Sequence, residues 1–194
     1  MIKHGFPYRI LGGLKFYARR EIKDILAYLR LAYNPSDMVS FERIYNVPER
    51  SIGKITYEKL KFYLNSQPTI HTALIRASED AIFSRRQKET LFNFGELIKT
   101  IGEKSKILSL PEFITWLIKK IDYRSYIDDG TEEGEERWKN VQEIFTAVSK
   151  YENMLASETL GTFLEEVALL QETDKLKERS DAINLMTLHS VKGL

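Results

Sequence analysis

Two short apolar runs, Tyr8 to Leu11 and Ala182 to Leu188, stand at opposite ends of a chain whose middle reads as helix. The second is unbroken by charge, the pattern of a strand covered on both faces. Such a strand has backbone donors and acceptors along each edge and needs neighbours to satisfy them. Two runs of this length hold too few residues for an independent sheet. The expected fold is mainly α, a multi-helix domain with short β-strands at both ends that belong to an incomplete α/β sheet. The chain is therefore expected to be a piece of a larger protein.

Gly12-Gly13 marks a sharp exit from the first strand. From Arg19 to Ala32, the residues Ile22, Ile25, Leu26 and Leu29 recur at i, i+3, i+4 and i+7, and Asn34-Pro35 ends that helix. Ser36 or Asp37 can cap a second helix with Val39, Phe41, Ile44 and Tyr45 on its apolar face, ending before Val47-Pro48. A tight turn at Ser51-Ile52-Gly53 leads into a third, bearing Ile55, Tyr57, Leu60 and Leu64. A long helix through Leu91, Phe94, Leu97, Ile98 and Ile101 is locally weakened by Gly95. Ser109-Leu110-Pro111-Glu112 has capping-box spacing ahead of Phe113, Ile114, Leu117 and Ile121. The acidic stretch from Asp128 to Glu136 reads as a loop entering the acidic first turn of a helix through Trp138, Val141, Phe145 and Val148. Leu160, Phe163, Leu164, Val167 and Leu170 mark the last helix, followed by a charged link from Asp174 to Asp181.

Lys and Arg number 29 against 28 Asp and Glu, a net charge of +1, so any surface for a polyanion must be local. With no cysteine there is no disulfide, thiolate metal site or thiol nucleophile, which fits a cytoplasmic protein. No apolar run approaches the roughly 18 residues that cross a bilayer, and Lys3, His4 and Pro7 occupy the place of a signal peptide's apolar core. No membrane partner is expected. The glycine-rich phosphate loop, the His-Glu-x-x-His metal motif and the Gly-x-Ser-x-Gly elbow are all absent, and His4, His71 and His189 are scattered. Neither a catalytic residue nor a metal site is expected in this stretch.

Three segments carry a resemblance. YRILGGLKFYARREIKDILAYLRL (Tyr8 to Leu31), SFERIYNVPERSIGKITYEKL (Ser40 to Leu60) and INLMTLHSVKGL (Ile183 to Leu194) resemble, in this order, parts of the UvrD/PcrA/Rep group of superfamily 1 DNA helicases. They look like motif IV with its helix, the duplex-binding "GIG" region and motif V; TFLEEVALL (Thr162 to Leu170) adds weaker similarity. The resemblance implies a segment of an ATP-dependent 3′ to 5′ DNA helicase. Residues 1–33 and 181–194 would be pieces of the RecA-like domain 2A, and residues 34–180 the all-helical domain 2B. It places Walker A, the DExx motif and motif VI outside these residues. ATP and Mg2+ would then serve the intact helicase, with none bound by this segment, which would have no ATPase of its own.

The resemblance also implies site residues. In motif V, Thr187, His189 and Ser190 would lie along the single strand, while Lys192 and Gly193 shape the turn beside the nucleotide cleft. In motif IV, Lys15 and Arg19 are candidate DNA contacts. Arg50-Ser51-Ile52-Gly53-Lys54 has the form of a helix-hairpin-helix, in which backbone N–H groups, a helix N-terminus and two cations would meet duplex phosphates. Ser51 stands where the family has its first glycine, a position where positive φ is costlier for serine. The plain alternative is an ordinary inter-helix turn with Gly53 as its permissive residue. Implied partners are DNA, the remaining RecA-like domains and repair proteins. Two further readings fit the same residues: a helical protein-interaction or regulatory module without DNA contact, and part of a RecB/AddA-like helicase-nuclease.

Overall fold

The computed structural model describes residues 8–10, 16–178 and 183–185. Strands β1 (Tyr8–Ile10) and β2 (Ile183–Leu185) run parallel, with Tyr8 opposite Ile183 and Ile10 opposite Leu185. A parallel pair cannot be joined by a tight turn and requires a crossover. Here the crossover is the whole helical body.

A 3₁₀ turn at Phe16–Ala18 precedes helix α1 (Arg20–Tyr33). Ile22, Ile25, Leu26 and Leu29 are buried as their spacing predicts, but Ala27, Tyr28 and Leu31 are buried too. A helix covered on most sides is a core helix. Helix α2 (Met38–Ile44) and helix α5 (Arg85–Lys104) pack against α1, as do α8 (Glu132–Val148) and α9 (Ala156–Glu178). The expected boundary after Tyr33 thus falls between two helices that share one core.

Asp37, not Ser36, caps α2: its carboxylate accepts from the Ser40 N–H at 3.1 Å. Phe41 and Ile44 are buried, whereas Val39 is 80% exposed. In helix α3 (Lys54–Ser66), Tyr57, Leu60 and Leu64 are buried while Ile55 is 77% exposed. Both corrections have one cause. A residue two positions before a buried aromatic lies about 200° away round the helix, on the water side.

Helix α4 (Ile70–Glu79), not anticipated, starts at Thr69, whose hydroxyl accepts from the Thr72 N–H at 3.2 Å. It packs closely on α5, and Gly95 explains how: a Cβ there would stand 2.9 Å from Ile75 Cδ1 and 3.3 Å from Leu74 Cβ. The glycine lets two helices approach without interrupting the one it occupies.

Helices α6 (Leu110–Lys120) and α7 (Tyr123–Ile127) complete the second half. The Glu112 carboxylate accepts from the Ser109 N–H at 3.0 Å and from its Oγ at 2.9 Å, the capping interaction that the spacing predicts. Glu132, Glu133 and Glu135 occupy the first turn of α8. Helix α9 continues to Glu178, so much of the expected charged link is helical, and Leu170 is half exposed. Among the described residues, no helix is long and apolar enough to cross a membrane.

Candidate nucleic-acid interface

The turn between α2 and α3 spans residues 45–53. Its Val47–Pro48 peptide is cis, and Ser51 takes a left-handed conformation with φ 59. Gly53 does not: its φ of −75 and ψ of 172 are open to any residue, and no atom lies within 4 Å of the Cβ it lacks. The serine, not the glycine, bears the unusual backbone. Asn46 stabilises it from both sides, its Oδ1 accepting from the Arg50 N–H at 2.8 Å and the Ile52 N–H at 3.1 Å. An Asn side chain imitating a backbone carbonyl is a common turn device, and here Asn46 plays that part for Arg50 and Ile52. Ile52 is buried and anchors the tip of the turn to the core.

Arg50 faces the protein. Its Nη1 donates to the carbonyls of Ile44 at 3.1 Å and Pro48 at 3.0 Å, its Nη2 donates to the Tyr28 hydroxyl, and its guanidinium carbon stands 4.4 Å from the Phe94 ring centroid. The Tyr28 hydroxyl in turn donates to the Val47 carbonyl. Burial pushes the Tyr28 phenol up to about 12, with Arg50 pulling the other way. Ser51, Gly53 and Lys54 remain exposed. Lys54 pairs with no carboxylate among the described residues, and no side chain caps the N-terminus of α3. The outer face of the turn thus carries free N–H groups and a cation, a combination suited to an anion.

Arg19 lies elsewhere, at the start of α1. Its Nη1 donates to Asn140 Oδ1 and stands 3.8 Å from Glu143 Oε2. Asn140 Nδ2 donates to Glu21 Oε1 at 2.7 Å. Beside them a cleft of about 280 Å³ is lined by Arg20, Glu21, Asp24, Tyr123, Tyr126 and Arg137. At its floor the buried Asp24 carboxylate meets Arg43 Nη2 at 2.6 Å and accepts from the Tyr123 hydroxyl at 2.8 Å. Burial, then the Asp24 charge, holds the Tyr123 phenol well above its ordinary range. These bonds tie α1 to α2, α7 and α8 with groups that composition and spacing did not single out. Phe16 and Tyr17 meet edge to face, 4.9 Å between centroids, and pack against the core.

Lys15, Thr187, His189, Ser190, Lys192 and Gly193 lie outside the described residues.

Residues 1–194 match the family described as the UvrD-like helicase C-terminal domain, and the chain belongs to that family. It is similar to the ATP-dependent DNA helicase PcrA of Bacillus subtilis (strain 168), at 35% identity over 201 residues covering 100% of this chain and 27% of that protein. The PcrA helicases of Staphylococcus aureus (strain Mu50) and Staphylococcus epidermidis are each 34% identical, over 197 and 198 residues, with the same coverage. The chain spans 27% of the length of these curated relatives.

Proposed function

We propose that this chain is the region of an ATP-dependent DNA helicase, similar to PcrA, that engages duplex DNA and regulates unwinding. The observation that carries the reading is the α2–α3 turn, with Ser51 at φ 59 and Gly53 and Lys54 turned outward. Gly53 is required neither by its backbone angles nor by its packing. Gly53 is the N-cap of α3, and without a side chain it also leaves the neighbouring N–H groups open to a ligand's approach. Free N–H groups beside an unpaired lysine suit a phosphate, and such contacts hold a duplex without reading its sequence. Arg50 acts here as a positioning residue, holding the turn while Ser51, Ile52, Gly53 and Lys54 present it.

In this reading residues 1–33 and 181–194 are pieces of the RecA-like domain 2A and residues 34–180 form domain 2B, the hairpin included. Lys15 and Arg19, with Thr187, His189 and Ser190 of motif V, lie along the single strand; Lys192 and Gly193 border the nucleotide cleft. ATP and Mg2+ belong to the intact helicase, whose other RecA-like domain completes the cleft. Helix α1 follows β1 in the chain and is buried in the core of the helical body.

The test is fluorescence anisotropy of a labelled duplex with a 3′ single-stranded tail, titrated with the chain across a range of salt. Binding should weaken steeply with salt, and Lys54→Ala should reduce the slope by about one. A chain that leaves the duplex unbound at micromolar concentration overturns the reading. DNA-stimulated phosphate release by the chain alone would overturn the assignment of ATP hydrolysis to the intact helicase.

A further inference from the structure

We infer a second duplex-phosphate contact on this chain, made by Arg85 and Arg86 at the α4–α5 turn beside the α2–α3 turn. It rests on the duplex-binding reading above and extends it to residues that the hairpin motif does not include.

The two helix starts share a burial pattern, although Ser84 caps α5 with its side chain while α3 has no side-chain cap. In the first, Ile52 is buried, Gly53 is the N-cap, Lys54 and Ile55 are exposed, and Thr56 turns inward as the third helical residue. In the second, Phe83 is buried, Ser84 is the N-cap, Arg85 and Arg86 are exposed, and Gln87 is the third helical residue. The third residues meet: Gln87 Nε2 donates to Thr56 Oγ1 at 2.8 Å. The starts of α3 and α5 are therefore fastened side by side at equivalent positions. A rigid polyanion seated against Lys54 comes up against Arg85 and Arg86 as well.

The charge of the second turn fits that partner. Arg85, Arg86 and Lys88 lie between the carboxylates of Glu79, Asp80 and Glu89; of these, Glu79 accepts from Arg76, and Asp80 accepts from the Tyr63 hydroxyl and the Ile82 N–H. Arg86 pairs with no acidic group among the described residues. Arg85 Nε lies 3.4 Å from Glu89 Oε1, but the two side chains are 95% and 64% exposed, a pairing weak enough to yield to a phosphate. Lys88 Nζ donates to the Glu79 backbone carbonyl at 3.2 Å. Guanidinium groups bind phosphate through paired N–H donors, which a surface evolved only for solubility does not require. The Gln87–Thr56 hydrogen bond holds the two cationic helix starts beside one another, so both can face the phosphates of one duplex.

The experiment titrates a labelled blunt DNA duplex with the full 194-residue chain at several salt concentrations. It compares wild type with Arg85→Ala/Arg86→Ala, Lys54→Ala and the triple variant; thermal unfolding verifies that each is folded. The double variant should bind about tenfold more weakly at low salt, its salt slope should drop by about two, and the triple variant should lose both contributions. Wild-type affinity and slope in the double variant, with Lys54→Ala weakened, overturn the second contact and leave the hairpin reading standing. A weakened double variant beside an unaffected Lys54→Ala supports the second contact and overturns the first. Absence of wild-type binding overturns both.

Discussion

Arg50 lies over the ring of Phe94, its guanidinium carbon 4.4 Å from the ring centroid, so a residue of the α2–α3 turn is seated on the middle of α5. The same guanidinium closes the turn through two carbonyls and the Tyr28 hydroxyl. Its removal leaves those acceptors and the ring without their partner. Arg50→Ala should cost about 2–3 kcal/mol, read as a lower urea midpoint with unchanged m. Arg50→Lys keeps the charge but not the planar fork and should recover less than half of the loss. Full stability in Arg50→Ala would show that the turn does not depend on this residue.

Ser51 holds a left-handed backbone that its Cβ disfavours. Ser51→Gly should raise stability by about 1 kcal/mol, since relief of this strain exceeds the added freedom of the unfolded chain. Ser51→Val, branched at Cβ, should lower it. Thermal unfolding of the two variants beside wild type decides the matter; a destabilised Ser51→Gly would mean that the seryl side chain contributes more than its backbone costs.

Asp24 is buried between Arg43 and Tyr123. Asp24→Ala leaves a cation and a phenol without their acceptor and should cost about 3 kcal/mol. Asp24→Asn keeps an acceptor for Tyr123 and should cost less. Guanidinium-chloride unfolding of both gives the comparison, and a loss below about 1 kcal/mol for Asp24→Ala would mean that water replaces the carboxylate.

Tyr28 is raised from 10.0 to about 12 by burial, and Tyr57 and Tyr123 are raised in the same direction. An unfolded chain releases these phenolic protons near pH 10, while the folded chain keeps them. Above that point the folded state binds more protons, so the contribution of these tyrosines to stability is constant below about pH 10 and falls towards pH 12, by about 1.4 kcal/mol per pH unit for each such tyrosine. Denaturant midpoints on either side of pH 10 should show the decline, and Tyr28→Phe should lessen it. Unchanged midpoints across that range would show that these phenols titrate normally.

The helix starts were legible where a single local rule governs them. Ser109 with Glu112 and the acidic first turn of α8 are local electrostatics, visible in adjacent letters. Helix α4 was not, because its cap is a Thr69–Thr72 pair and its apolar face is short. Val39 and Ile55 illustrate a different limit. Both are apolar and helical, and only the direction of their neighbours puts them in water.

The order of residues by itself determined that this chain would be a helical body between two apolar ends, and which family it resembles, because periodicity and motif order are properties of the line. Tertiary structure alone decided the rest. That Arg50 turns inward, that Ser51 and not Gly53 carries the strained backbone, and that Thr56 meets Gln87 depend on groups brought together from separate helices. Charge and side-chain type say what a residue is able to bind; only packing settles which partner reaches it first.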